Sequence, residues 1–348
     1  MVYKQSLKNL LPEEIEAWVL SKGYPAYRGR QLAEWLYGKK VEGPQAMYTL
    51  PQSLRDLIQQ EGNLFLTQLV NDIPTSFADS QKFLFKLTDG EAIESVYLPS
   101  KNRRTVCVSS QVGCALKCSF CQTARMGFHR NLSAGEIVDQ VLQISRWNPE
   151  NITNVVFMGM GEPFHNFESV AQAAKIMNHP KGLHISARHI TVSTAGLVPG
   201  IYAFAELPYP FKLAVSLNAI RDDLRDVLMP INKQYPLTDL LKAVKFYTQK
   251  THRRVTFEYV LLKDVTMTIK DADILVSRLK DLNCKVNLIP YNMTHAPYQM
   301  PDEEEILAFA DYLQSRASFP VTIRWSGGRD KQAACGQLYT ETKREEYA

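Results

Sequence analysis

Three cysteines, Cys114, Cys118 and Cys121, share one short stretch, Gly113-Cys114-Ala115-Leu116-Lys117-Cys118-Ser119-Phe120-Cys121. One loop thus offers three thiolates and leaves a fourth coordination position unclaimed. A structural zinc site closes with four ligands, so this set is one short. A cubane iron–sulfur cluster on three protein thiolates keeps one iron open to something else. The other three of the six cysteines divide by context. Cys284 reads as a small core hydrophobe. Cys107 lies seven residues before Cys114, close to the same site. Cys335 sits among small residues in Ala333-Ala334-Cys335-Gly336. Small neighbours leave a thiol accessible, and an accessible thiolate is a nucleophile.

Four loops directly follow predicted strands and carry glycine or polar residues. In Met158-Gly159-Met160-Gly161-Glu162-Pro163 the glycines let backbone approach a ligand, and Glu162 can accept from a cationic amine. The others are Ser193-Thr194-Ala195-Gly196, Ser216-Leu217-Asn218 and Pro290-Tyr291-Asn292. Singly, each reads as an ordinary turn. Gathered at one mouth, they offer hydroxyls and amides to a ribose, a carboxylate and an adenine edge. Glu94 lies on a strand where Ile93 and Val96 are apolar and Ser95 is polar. On its own it reads as a solvent-facing strand residue.

The elements that position these groups follow from periodicity. Leu11 to about Gln68 reads as helical, opened by Pro12-Glu13-Glu14 and broken at Gly23-Tyr24-Pro25. Phe83–Leu87 and Glu91–Leu98 form a predicted hairpin turning at Asp89-Gly90, and Arg104–Val108 is a further strand into the cysteine loop. Ser133-Ala134-Gly135-Glu136 is a capping box that opens a helix. Strands are then predicted at Asn154–Met158, His189–Ser193, Lys212–Leu217, Arg254–Leu261 and Lys285–Ile289. Helices are predicted at Leu237–Gln249, Ile269–Leu282 and Asp302–Gln314, with a last strand at Phe319–Arg324. Repeated β–α units imply an α/β fold with a parallel sheet closed into an open, partial (β/α)6 barrel. Chemistry in such barrels collects at the C-terminal strand ends. The expected division is an N-terminal helical domain over 1–78, a barrel with its preceding β-hairpin extension over 79–325, and a tail over 326–348 that carries Cys335.

The chain has 348 residues, 45% hydrophobic and 22% charged, which is ordinary for a globular protein. No run of about 18 apolar residues indicates a membrane span. The first residues lack the apolar core of a secretory signal, so a cytoplasmic, reducing setting is expected, in keeping with cysteines not arranged as a disulfide framework. A net charge of +4 is too small to imply nucleic acid by itself. Two basic clusters count for more: Tyr27-Arg28-Gly29-Arg30 with Trp35, Lys39 and Lys40, and Lys101-Asn102-Arg103-Arg104. Charge alone fits a solvated face as well as a phosphate-binding one.

The cysteine spacing, with Phe120 before the last thiol, resembles the signature of radical S-adenosylmethionine (SAM) enzymes. Over nearly its whole length the chain resembles the RlmN/Cfr family of radical SAM RNA adenine methyltransferases, most closely the RlmN type. The resemblance rests on Cys107-Val108-Ser109-Ser110-Gln111-Val112-Gly113-Cys114, on the cysteine loop through Gly127-Phe128 and Arg130-Asn131-Leu132, and on Gly159-Met160-Gly161-Glu162-Pro163. It rests further on Met229-Pro230-Ile231-Asn232 and Ala333-Ala334-Cys335-Gly336-Gln337-Leu338. It implies a [4Fe-4S] cluster on Cys114, Cys118 and Cys121, with SAM chelating the open iron, and two SAM molecules per turnover. Cys335 then takes a methyl group from one SAM. A 5′-deoxyadenosyl radical from the second removes hydrogen from that methyl, and the carbon radical adds to adenine. Glu94 matches the family's proton acceptor. Cys107 matches the residue that resolves the adduct through a transient disulfide with Cys335, the catalytic kind that a reducing compartment allows. Gly161, Glu162, Ser193, Ser216, Leu217, Asn218 and Asn292 carry over as SAM contacts.

The implied substrates are 23S rRNA, methylated at adenine C2, and tRNA. A flavodoxin or ferredoxin is the implied electron donor, and a monomer is expected. The N-terminal patch of Tyr27, Arg28, Arg30, Trp35, Lys39 and Lys40 would bind RNA by stacking and phosphate contacts. Two departures from the family pattern stand out. Asn218 replaces a common histidine, and Arg329-Asp330-Lys331-Gln332 replaces a more acidic stretch. One alternative is a Cfr-type C8 methyltransferase that confers ribosomal antibiotic resistance. A second is a zinc-dependent RNA-binding protein without catalysis.

Overall fold

Helix α1 (Pro12–Ser21) begins at Pro12, with Glu13 and Glu14 in its first turn. In this computed structural model, which describes residues 6–71, 78–148, 150–325 and 333–340, it packs on α2 (Ala26–Ala33). A π-helical turn extends α2 through Glu34–Gly38, and α3 (Gln52–Glu61) completes the N-terminal helices. The helical reading overran by one strand. Thr67–Leu69 is β1, an edge strand that pairs antiparallel with β2 (Gln81–Leu87), and this tertiary pairing overrides the local pattern.

β2 turns at Gly90 (φ +90°) into β3 (Ala92–Ser100), and β3 pairs antiparallel with β4 (Arg103–Cys107). A separate small ladder of β5 (Gln111–Gly113) and β6 (Phe128–Asn131) brackets the cysteine loop. Then α4 (Ala134–Trp147) starts with the predicted capping box, Ser133 accepting from the Glu136 amide.

From β4 onward every pairing in the main sheet is parallel. The strands are β7 (Asn154–Phe157), β8 (Ile190–Thr194), β9 (Lys212–Ser216), β10 (Val255–Leu261), β11 (Cys284–Pro290) and β12 (Val321–Ile323). They alternate with α5 (Phe167–Asn178), α6 (Val198–Ala205), α7 (Asp222–Leu228), α8 (Leu237–Thr251), α9 (Ile269–Leu279) and α10 (Glu303–Arg316). Six β–α units and a closing strand make the open barrel that the sequence pattern predicts. Helices α5, α6 and α7 carry no clear periodicity or cap in the sequence. The first two are rich in small residues and the third is short. No described helix is long and apolar enough to cross a membrane.

The N-terminal helices dock on α4 through a buried ion pair, Lys8 Nζ to Asp139 Oδ1 at 2.5 Å. Burial lowers the Lys8 pKa, and the Asp139 charge opposes that shift. Asn9 Oδ1 also accepts from the Gly135 amide in the first turn of α4. Breaking a buried pair leaves one charge stranded, at about 3–5 kcal/mol. Asp139 keeps Thr67 as a donor through its amide and hydroxyl, so Lys8→Met is expected to cost about 3 kcal/mol, the low end of that range. A lowered urea midpoint and faster proteolysis near residue 70 check this expectation. An unchanged midpoint means that the pair does not hold the two parts together.

Candidate active site

β5 ends at Gly113 with φ +70°, and a Cβ there would lie 1.8 Å from the Gly127 carbonyl oxygen. Only glycine lets the two loop arms close this tightly. Cys114 N then donates to Gly127 O at 2.8 Å, Cys121 N to Cys118 O at 3.2 Å, and Ser119 N to Leu228 O at 3.0 Å. The three thiols line one cavity at the C-terminal ends of the strands. Burial pushes Cys114 up to about 12 and raises Cys118 and Cys121, and the three repel one another when charged. Such thiols ionise when a metal centre compensates them.

Among the described residues, no three His, Cys, Asp or Glu side chains gather closely enough to hold one ion. Zinc needs its sulfurs about 2.3 Å from a single centre. In a multi-iron cluster each thiolate binds a different iron, so three sulfurs spread around one cavity suit a cluster better.

The four strand-end loops meet at the same cavity. Gly161 takes φ +99° against Gln111, where a Cβ would come 2.5 Å from the Gln111 Cβ. Glu162 accepts from Phe164 N at 3.0 Å and Ala195 N at 2.8 Å, and burial raises its pKa to about 7. Its carboxylate therefore ties the β7 loop to the β8 loop as well as facing the cavity. Ser193, Ser216, Asn218 and Asn292 line the cavity too. Leu217 is buried outside the lining, its carbonyl accepting from Arg225 Nε at 3.0 Å. Asn218 adopts φ +55°, a region that asparagine tolerates. Its amide works internally: Oδ1 accepts from Val260 N and Nδ2 donates to Met229 Sδ.

The C-terminal tail closes over this mouth. Gln122 N donates to Gly336 O at 2.8 Å, Thr123 Oγ1 to Leu338 O at 2.7 Å, and Asn292 Nδ2 to Cys335 O at 3.2 Å. Cys335 faces both the upper cavity and a second, wider one inside the barrel, which Cys107 also lines. Burial, and then the charge of Cys335, push Cys107 up to about 12, while Arg324 pulls it down. Arg324 Nη1 lies 3.7 Å from Glu258 Oε2, and the Cys335 charge is the largest influence that holds its proton. Arg329-Asp330-Lys331-Gln332 lies outside the described residues.

Glu94 differs from its solvent-facing reading. It is 4% exposed, its Oε1 lies 2.8 Å from Lys82 Nζ, and its Oε2 accepts from Tyr339 N at 2.9 Å. Burial raises its pKa. It holds the tail from beneath and lines neither cavity. The alternation reading failed because both faces of β3 are covered, one by α4, where Ser95 Oγ donates to Gln140 Oε1, and the other, which carries Glu94, by the tail.

Two site residues escaped sequence reading. Arg225, on α7, is fully buried and clamps the loops after β8 and β9. Arg324 follows β12 beside the two outlying cysteines. The usable signal was position, since both stand near residues already singled out. The N-terminal patch also changes composition. Trp35 is 5% exposed, donates to Thr49 Oγ1, and has Lys39 Nζ 3.8 Å from its ring centre. Arg30 pairs with Glu16. The exposed rings are Tyr27, with Arg28 stacked at 4.8 Å, and Tyr48.

The Radical SAM superfamily model matches residues 108–276, from just after β4 through most of α9. A probable dual-specificity RNA methyltransferase RlmN of Bacillus velezensis is 43% identical over 339 residues, 96% of this chain and 93% of that protein. One from Thermus thermophilus is 44% identical over 339 residues, with the same coverage. The crystal structure of a radical SAM methyltransferase from Sphaerobacter thermophilus superposes with a TM-score of 0.93 at 43% identity, covering 96% of this chain and 99% of that one. With this identity over almost the full length, and with the cysteine loop, strand-end loops and cysteine-bearing tail gathered at one barrel mouth, the chain belongs to the RlmN family of radical SAM RNA methyltransferases.

Proposed function

We propose that this chain methylates C2 of an adenosine in 23S rRNA, and in tRNA, with Cys335 as the carrier of the methyl group. The observation that carries this reading is the place of Cys335 at the junction of two cavities. One holds the three-cysteine loop, and the other holds Cys107. The dual specificity in the relatives' names supports two classes of RNA substrate. In this reading residues 1–78 form an accessory RNA-binding unit, 79–325 the barrel with its hairpin, and 326–348 the catalytic tail.

Cys114, Cys118 and Cys121 would hold a [4Fe-4S] cluster, with Gly161, Glu162, Ser193, Ser216, Leu217, Asn218 and Asn292 around SAM. When bound, cluster and SAM supply the one-electron chemistry that removes hydrogen from an unactivated methyl group, the kind of work proteins delegate to cofactors. The chain's residues do the rest. Cys335 Sγ, its backbone fixed by Asn292, displaces S-adenosylhomocysteine from the methyl carbon of one SAM and gives up its thiol proton. Its carbon, one hydrogen atom removed, would then bond adenine C2, the C2 proton passing to the acceptor carboxylate and the unpaired electron returning to the bound cofactor. The Cys107 thiolate, favoured by Arg324, attacks Cys335 Sγ. An S–S bond forms, the S–C bond breaks, and the carbon leaves with the electron pair to be protonated as the methyl group. A flavodoxin or ferredoxin supplies the single electrons, and a two-electron reductant reopens the disulfide. Glu94 is the proton acceptor in this reading, and to act it must first release the Tyr339 amide.

Mass spectrometry of RNA digested after turnover tests the assignment. 2-Methyladenosine is expected, and 8-methyladenosine alone would overturn it in favour of the Cfr-type reaction. Cys107→Ala is expected to trap RNA covalently on Cys335, visible as a labelled band that survives denaturing electrophoresis. Free methylated RNA from that variant would rule out the resolving role.

A further inference from the structure

The interior of the barrel reads cation first and chemistry last. Alternate strand residues face inward, and several strands repeat one order from the N-terminal end upward. β4 presents Arg103, Thr105 and Cys107, the lead-in to β10 presents Arg254 and the strand itself Thr256 and Glu258, and β11 presents Lys285 and Asn287. With Arg188, Lys212 and Arg253 these make a rim of six cations around a cavity of about 890 Å³. Among the described lining residues the only acid is Glu258, already committed to Asn287 at 3.0 Å and Arg324 at 3.7 Å. Arg103, Arg188, Lys212, Arg254 and Lys285 make no ion pair with a described carboxylate. Burial, and then Arg103, Arg254 and Arg188, disfavour the charge on Lys212. Like charges gathered this way destabilise a fold unless an anion visits them.

The cavity has further features that select its occupant. Trp325, 47% exposed, lines it together with Cys335 and Ala334. An exposed ring above a cationic rim is the pairing by which proteins stack a base while holding phosphates. A strand rise of about 3.3 Å per residue sets the rim roughly 13 Å below the level of Cys107 and Ser216. A cavity of about 890 Å³ is smaller than a single turn of paired helix, so it suits an unpaired nucleotide.

We propose that the end of the barrel opposite the three-cysteine loop is the entry for single-stranded RNA. The backbone phosphates rest on the Arg103, Lys212, Arg254 and Lys285 rim, and one nucleotide reaches past Trp325 to Cys335. This rests on the reading of the chain as an RNA methyltransferase and adds the path by which substrate meets the methyl carrier.

The test compares the full-length protein with a Lys212→Gln/Arg254→Gln/Lys285→Gln variant. Its ligand is a short fluorescein-labelled RNA hairpin with an unpaired adenosine in its loop, titrated at several salt concentrations. A Lys242→Gln/Lys245→Gln/Lys270→Gln variant, altered on α8 and α9 outside the barrel, controls for net charge. The rim variant is expected to bind roughly ten- to a hundred-fold more weakly, and its log–log salt slope to fall by about 2, at about 0.7 per lost contact with a single strand. The outer variant is expected to stay near wild type, Lys212→Arg/Lys285→Arg to retain binding, and methylation of Cys335 in the absence of RNA to be unchanged. If the rim variant matches wild type in affinity and slope, or if both triple variants lose binding equally, the entry proposal fails while the methyltransferase reading stands. Equal binding of a blunt duplex by the wild type would also overturn it. If the wild type binds no RNA at any salt, the methyltransferase reading fails first.

Discussion

Cys335→Ala is expected to abolish RNA methylation, by roughly 10⁴-fold or more, while leaving the protein folded and its iron content unchanged. Loss of a nucleophile that forms a covalent intermediate is among the costliest single changes in an active site. The fold has little stake in this sulfur. The tail contacts at this point run through the backbone: the Cys335 carbonyl accepts from Asn292 and the Gly336 carbonyl from Gln122. The side chain is half-buried at the junction of two cavities. Its removal takes away a reactive group and no packing partner of size. Transfer of labelled methyl from SAM to RNA, with iron analysis and visible absorption on the same preparation, checks both halves. Residual methylation above about one part in a hundred would remove Cys335 from the carrier role. Loss of iron with loss of activity would show that Cys335 belongs to the cluster site.

That division between chemistry and scaffold explains what the sequence disclosed. Strands and later helices were legible because parallel strands covered on both faces, such as β8 and β9, read as short apolar runs, and because caps such as Ser133 announce helix starts. The cysteine spacing and the strand-end loops were legible because metal chelation and close backbone approach demand particular residue types. Glu94 was misread because its burial is made by the tail, more than 240 residues further along the chain. Trp35 looked like an RNA platform for the same kind of reason, since its burial against Thr49 is tertiary. The cationic rim was invisible as a unit, because its six members come from five segments far apart in sequence. Only the curling of the parallel sheet brings them together.

Arg225→Met is expected to be the most destabilising substitution in the site, by about 5 kcal/mol. The guanidinium is 0% exposed and donates to Leu217 O at 3.0 Å, Asn232 Oδ1 at 3.0 Å, Ala195 O at 2.6 Å and Ser216 O at 3.2 Å. Each buried acceptor left without a donor costs about 1–3 kcal/mol, and methionine fills the volume while satisfying none of them. Burial lowers the Arg225 pKa to about 10, with Cys118 the first of the charges that oppose this, so the group remains a cation at neutral pH beside the cysteine loop. Arg225→Lys separates the two contributions. It restores the charge, but an ammonium on a flexible stem does not reproduce a planar fork that reaches two loops at once. Lysine is therefore expected to recover less than half of the lost stability in urea titrations of the iron-free protein. Its reconstituted form is expected to hold iron better than the methionine variant does. Full recovery of stability by lysine would reduce Arg225 to a counter-charge for the cysteine loop. Equal iron retention by both variants would leave it as a clamp alone, holding the β8 and β9 loops at the spacing that the cavity requires.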